Sequence, residues 1–355
     1  MSFTRTTRNF SHLFLCLNKK TFHPFYISNR WKMVSSYLQR KETLPSYPTV
    51  VEIEVTSRCN MECIMCPRKK VKHPQDMEWT VFKEAVDKTS RYCELYILHA
   101  SGEPLLNPRL MDMIRYCAAK KVGTWLSTNA MLLQGRIADE LLNSPLAGMV
   151  IAIDGATKET YERIRRGGNF ETVVENTRNF LAKKKSSRSK MMVSLQFIIM
   201  EENESEVEQF IQQWRKEDVN IIIKPRVNWF AKNINELKYP DVLCDRPWYW
   251  MTIKSDGTVP VCADDIGCEY PVGNITSSTL EDLWNSEQMR NFRSLVRGGK
   301  QNHPLCSTCD YAPAHPLNFL GLCAFVFFDM LSVAKLLFWK GYKKPCSDKL
   351  GLIKR

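Results

Sequence analysis

Three cysteines stand close together in Cys59-Asn-Met-Glu-Cys63-Ile-Met-Cys66, the spacing C-x3-C-x2-C. A loop of this length can wrap three thiolates around one face of an iron–sulfur cubane. Four cysteines normally close a [4Fe–4S] cluster, so three leave one iron without a protein ligand. An open coordination position is what separates a reactive metal centre from a structural one, as at zinc. Such an iron could chelate a small molecule and pass it an electron. The competing readings are a structural zinc site, with His73 as a fourth ligand, or thiols that bind no metal. A second group follows with Cys244, Cys262, Cys268, Cys306 and Cys309, the last pair in the ligand spacing C-x2-C.

The chain has 13 cysteines in 355 residues. The number is odd, and the apolar run Leu13–Leu17 is too short for a secretory signal core. Ligation is therefore a better reading than disulfides. Cys16, Cys93, Cys117, Cys323 and Cys346 lack cluster spacing and read as ordinary thiols. The net charge of +12 gathers at the ends: eight Lys or Arg and no acid lie between Met1 and Lys41, and seven against one Asp lie between Lys335 and Arg355. The middle is near balance and carries no zinc-finger or RNA-recognition signature, so a nucleic-acid-binding core is not expected.

The elements that must carry these cysteines can be read from periodicity. Alternation predicts strands at Thr49–Thr56, Glu94–Ala100, Val122–Thr128, Met149–Ile153, Met191–Met200 and Val219–Lys224. Helical spacing predicts helices at Trp79–Arg91, Asn107–Lys121 with Asn107 as cap, Gln134–Asn143, Lys158–Arg165, Glu171–Lys185 and Glu204–Lys216. Strands that alternate with helices argue for a parallel sheet. The expected fold is α/β, a partial (β/α)6 TIM-like barrel with functional groups at the carboxyl ends of its strands. A small C-terminal cysteine-rich cluster domain follows, in which Trp248–Ile253 and Thr258–Val261 flank the hairpin signal Ser255-Asp256-Gly257. Short helices are expected near Leu280–Asn285 and Glu287–Val296.

The resulting division is a basic N-terminal extension over 1–47, a barrel over 48–228, a cluster domain over 229–312 and a tail over 313–355. The extension reads as flexible or membrane-facing; its lack of acids also fits a transit peptide, and Met33 could be the true start. The apolar stretch Leu317–Trp339 is long enough to span a bilayer, but Asp329 and Lys335 interrupt it. An interfacial helix on an anionic membrane surface is one reading; a helix packed on the protein's own surface is the other. The expected location is cytoplasmic, with membrane association through the tail left open.

Glu54–Arg68, EVTSRCNMECIMCPR, closely resembles the cluster loop of the radical S-adenosylmethionine (SAM) superfamily. The resemblance implies that Cys59, Cys63 and Cys66 hold a [4Fe–4S] cluster whose open iron binds SAM. It implies reductive cleavage of SAM to a 5′-deoxyadenosyl radical, which abstracts hydrogen from an organic substrate. It implies an electron donor such as a flavodoxin or ferredoxin. Gly102-Glu103-Pro104 looks like the family's segment that meets the methionine ammonium, and an acid at a strand end suits a cationic amine. Ser127 and Asn129 resemble positions that contact SAM, as does Asp154 in Ile153-Asp154-Gly155. Ala152 stands where the family pattern has a serine, which puts the SAM contact there in doubt. Arg163, Arg165 and Arg166 follow, with Arg165 favoured as a carboxylate ligand; a solvated helix end is the alternative.

The order C…DGxVxxC…GNI…LxxLW…CxxC resembles a short SPASM-type extension with one auxiliary [4Fe–4S] cluster. Cys244, Cys262, Cys306 and Cys309 would be its ligands. With four thiolates it would accept or relay electrons; structural zinc is the alternative. Cys268 is left over as a spare ligand, a hydrogen-atom donor or an inert thiol, and Asp264 or Asp265 is a candidate base. The expected chemistry is oxidation or epimerisation of a sugar-like or small molecule. A peptide-modifying maturase and a zinc-stabilised binding module are the alternatives.

Overall fold

The computed structural model describes residues 23–187, 189–217, 219–225 and 244–309. Its centre is a parallel sheet of strands β1 (Val50–Ile53), β2 (Leu95–Ile97), β3 (Gly123–Thr128), β4 (Gly148–Ala152), β5 (Met192–Ile199), β6 (Asn220–Pro225) and β7 (Trp250–Ile253). The order is β6-β5-β4-β3-β2-β1-β7. Helices fill the crossovers: α2 (Trp79–Thr89), α3 (Leu110–Ala119), α4 (Gly135–Leu142), α5 (Lys158–Ile164), α6 (Phe170–Ser187) and α7 (Val207–Trp214), after α1 (Pro24–Leu38). Successive strand side chains point to opposite faces. Val51, Ile53 and Val55 accordingly join the apolar core with Phe82, Val86 and Leu98, whereas Glu52 and Glu54 lie on the other face. The fold is the expected partial barrel, and its inner face is polar at the strand ends.

The structure changes three expectations. First, the chain around Ser255-Asp256-Gly257 does turn tightly, with Gly257 at φ 85° and its N–H donating to the Lys254 carbonyl at 2.9 Å. The flanking strands do not pair with each other, however. β7 pairs in parallel with β1 and becomes the seventh strand of the main sheet, while β8 (Thr258–Pro260) pairs antiparallel with β9 (Pro271–Asn274). The free edge of β1 offers β7 a four-residue register that so short a hairpin cannot match.

Second, part of the N-terminal extension is built into the protein. Helix α1 starts at Pro24, a favoured first-turn residue, and buries Tyr26, Asn29, Arg30, Met33 and Val34. Asn29 exchanges two hydrogen bonds with the Tyr47 backbone, and Arg30 pairs with Glu94. Third, the helix expected from Asn107 begins at Leu110; Asn107 instead accepts the Arg109 N–H and donates to the Val55 carbonyl at 2.6 Å. Among the described residues no helix is long and apolar enough to cross a membrane, and Leu317–Trp339 lies outside them.

The second domain adds α8 (Leu280–Trp284), α9 (Glu287–Arg297) and α10 (Pro304–Ser307). Its core residues Leu283, Trp284, Phe292 and Val296 are continuous with those of the barrel. Arg293 is fully buried and donates to the carbonyls of Pro247 (2.9 Å), Glu42 (2.9 Å) and Trp284 (2.8 Å), with its guanidinium 4.7 Å above the Trp284 ring. Arg293→Met would take the donor from three carbonyls, two of them in buried contacts. We expect a loss of about 3–5 kcal/mol, read as a drop in midpoint denaturant concentration at unchanged slope.

Candidate active site

The loop from Glu54 to Met77 leaves the carboxyl end of β1 and is closed at its base. Thr56 bridges to Asp76, and Arg58 reaches the same carboxylate at 2.8 Å. Within the loop, the Glu62 and Ile64 N–H groups donate to the carbonyls of Arg166 and Ile164 at 2.8 and 3.0 Å. Met65, Ile164 and Met200 form an apolar floor under Cys63 and Ile64. Cys59, Cys63 and Cys66 are thus carried on a braced loop and remain partly accessible. Burial pushes the Cys59 and Cys63 thiols up, opposed at Cys63 by Arg165. A cluster that takes these sulfurs as thiolates must displace their protons. Among the described residues no three His, Cys, Asp or Glu side chains close around a single ion, and His73 is exposed. Three thiols on one loop suit the wider spacing of cubane corners.

Gly102 packs directly on this loop. A Cβ there would stand 2.3 Å from the Thr56 carbonyl oxygen and 2.6 Å from that of Arg58. Glu103 is buried, and its carboxylate accepts from the Thr128 hydroxyl (2.7 Å), the Asn129 N–H (2.8 Å) and the Leu105 N–H (3.2 Å). A carboxylate has about four acceptor positions, and three are taken. The acid therefore fastens β3 to the loop after β2 and keeps one acceptor position open. Asn129 reaches the cysteine loop itself, donating to the Asn60 side chain at 2.8 Å.

Asp154, at the end of β4, is fully buried. It accepts from Arg165 Nε (2.7 Å) and Nη2 (2.5 Å) on one oxygen and from the Ile198 N–H (2.7 Å) on the other. Arg165 Nη1 lies 3.9 Å from Cys63 Sγ. Burial works against the Arg165 charge, but Asp154 and Cys63 more than restore it and its pKa ends above the ordinary value. The structure thus holds Arg165 between Asp154 and Cys63, not at a solvated helix end. Arg163 turns away to the Glu202 carbonyl.

The Ser127 N–H donates to His99 Nδ1 at 3.0 Å, which fixes the proton of a neutral ring on Nε2. Burial, with the charge of Lys224, lowers the His99 pKa from 6.5 to about 4. Because the folded value lies below the unfolded one, stability present above about pH 6.5 is lost as the pH falls toward 4. We expect His99→Gln to flatten that acid limb of the stability curve, and the His99 ring to show no NMR titration between pH 5 and 8.

In the second domain one small enclosed cavity is lined by Cys244, Cys262, Cys306 and Cys309. Burial pushes Cys244 up to about 12, and Cys262 and Cys306 upward too. Four thiols around one cavity fit a fully ligated cluster. Asp264 lies among them, 3.4 Å from Cys309 Sγ and paired with Arg246 at 3.0 Å. As a candidate base, Asp264 would act with Arg246 beside it. Asp265 accepts the N–H groups of Glu269 and Tyr270, both at 2.8 Å, and shapes the loop. Cys268 lies outside the cavity with φ 54°, in electrostatic reach of Lys254 and Glu54.

Sequence reasoning missed a buried group where the two domains meet. The Glu54 carboxylate accepts from the Ser101 N–H (3.3 Å) and from the Ser255 N–H and hydroxyl (3.4 and 3.2 Å). Lys254 stands 3.7 Å from it. The alternation Glu52-Ile53-Glu54 was the available signal, since it puts both acids on the inner face.

Comparison with known proteins agrees with this geometry. Residues 53–213 match the family model of the radical SAM superfamily, and residues 244–310 match that of an iron–sulfur cluster-binding domain, SPASM. The chain is 29% identical over 136 residues to the mycofactocin maturase MftC of Mycobacterium tuberculosis, which is 38% of this chain and only 35% of that protein. It is 22% identical over 315 residues to the tungsten-containing aldehyde ferredoxin oxidoreductase cofactor-modifying protein of Pyrococcus furiosus, covering 74% of this chain and 87% of that one. Among solved structures, it is similar in fold to BtrN in complex with AdoMet and 2-DOIA (TM-score 0.53, 17% identity, 74% and 93% of the two chains). It is likewise similar to Streptococcus suis SuiB bound to the precursor peptide SuiA (TM-score 0.54, 15% identity, 80% and 74%).

Proposed function

Because the chain belongs to the radical SAM superfamily and carries an iron–sulfur cluster-binding SPASM domain, we propose that it is an enzyme oxidising or epimerising a small polar substrate at the barrel mouth. The observation that carries this reading is the pairing, in one chain, of a braced three-thiol loop with an enclosed four-thiol cavity. Cys59, Cys63 and Cys66 would hold the first [4Fe–4S] cluster, and Cys244, Cys262, Cys306 and Cys309 an auxiliary one. With SAM bound, the first cluster would supply radical chemistry for hydrogen abstraction from the substrate.

The chain's own residues do the rest. Gly102 lets the loop after β2 close on the cysteine loop, Glu103 ties that loop to β3, and Asn129 ties β3 to Asn60 of the cysteine loop. Arg165, oriented by Asp154, places positive charge beside Cys63. Glu52, Glu54, His99, Ser127 and Lys254 make the inner face polar, which favours an oxygen-rich substrate of sugar-like type. A peptide substrate is the second reading, suggested by the similar fold of SuiB, which was solved with the precursor peptide SuiA. Electrons would come from a flavodoxin- or ferredoxin-type donor.

The test is anaerobic. Reconstituted full-length protein should be brown, carry about eight iron atoms per chain, and release 5′-deoxyadenosine and methionine when reduced with SAM. Colourless, zinc-loaded protein that leaves SAM intact would overturn the proposal. Mass spectrometry of small-molecule and peptide fractions then separates the two substrate classes.

A further inference from the structure

Lys254 follows β7 and is 5% exposed, yet its ammonium has no hydrogen-bond partner among the described residues. Its charged neighbour is Glu54, at 3.7 Å, beyond hydrogen-bond reach. Glu54 has little to offer, because its two oxygens already accept the Ser101 N–H and the Ser255 N–H and hydroxyl. Other nearby charges are also engaged: Arg246 is paired with Asp264, and Glu52 accepts the Thr252 hydroxyl. A buried ammonium left without acceptors is costly.

Its position says what could supply them. Lys254 shares the inner face with Glu54 across the β1–β7 pair, at the carboxyl ends of those strands, where a barrel binds ligands. The Ser255 hydroxyl lies 3.2 Å from that of Ser57, two residues before Cys59. On the other side the same strand leads through β8 to Cys262. Lys254 thus lies in the chain between Cys66 and Cys262, beside the strand that leads into the cysteine loop.

We propose that Lys254 is a substrate-binding residue that takes an oxyanion, a carboxylate or a phosphate, on the molecule to be oxidised. Glu54, itself held by Ser101 and Ser255, is the charge that competes for the lysine, and the oxyanion accepts the ammonium's unused protons. The proposal deepens the functional reading above and rests on it for the substrate's location.

The full-length protein, reconstituted with iron and sulfide without oxygen, is titrated with acetate or with inorganic phosphate at constant ionic strength, and thermal unfolding is followed. Wild-type protein should show a saturable rise in midpoint with one of the two anions, which identifies the class, and none with acetamide. Lys254→Met, similar in length but neutral, should need at least about tenfold more anion, while Lys254→Arg should keep the response. Glu54→Gln removes the competing charge and should lower the half-saturating concentration. Should Lys254→Met fail to hold iron, the Lys254→Arg and Glu54→Gln pair carries the test. A wild type that responds to neither anion, a Lys254→Met response equal to wild type, or a weaker response in Glu54→Gln would overturn the proposal. None of these readouts uses SAM turnover. Deoxyadenosine release from the same samples therefore reports separately on the enzymatic reading.

Discussion

Cys63→Ala protein, purified without oxygen, is expected to hold about four iron atoms per chain where the wild type holds about eight. Deoxyadenosine release should fall by more than about a hundredfold, because even changes around a ligand shell cost about 10–100-fold. The size of the effect follows from the geometry. Cys63 is the middle thiol of the loop, rests on the Met65–Ile164–Met200 floor and is the one that Arg165 approaches. Its loss removes a ligand and leaves the guanidinium with Asp154 alone. Cys268→Ala is the matched control: that thiol belongs to neither site and should leave iron content unchanged. Wild-type iron in Cys63→Ala would remove the assignment of the loop.

Gly102→Ala is the second large effect. The added methyl would fall on two backbone carbonyl oxygens, those of Thr56 and Arg58, and backbone cannot yield as a side-chain tip can. Overpacking of this kind costs about 1–3 kcal/mol. Here the segment that must move is the one carrying Cys59, so the variant should lose iron as well as stability. A thermal midpoint and iron content both equal to wild type would show that the close approach is not required.

The alternation of strands and helices was legible because each barrel unit buries one strand face and one helical stripe, and both leave a period in the chain. The cysteine loop was legible because all three thiols lie within eight consecutive residues. What escaped depends on distant partners. Nothing local to Trp250–Ile253 says that β1 has a vacant edge to receive it. The partners of Glu103 (Thr128 and Asn129) come from the end of β3, and those of Asp264 (Arg246 and Cys309) from segments far along the chain. Helix α1 was a different failure. Its buried positions Tyr26, Asn29, Arg30, Met33 and Val34 have helical spacing and follow Pro24, but the excess of basic residues drew the reading toward an unstructured leader.

The place of β7 also governs how the protein can be dismantled. A fragment ending before Cys244 would keep every barrel helix yet strip one flank of β1, leaving a row of naked amide and carbonyl groups beside the cysteine loop. Exposed flanks of that kind recruit strands from other molecules, so the truncated chain should precipitate as sticky oligomers. The second domain therefore completes the first by closing the flank of its opening strand.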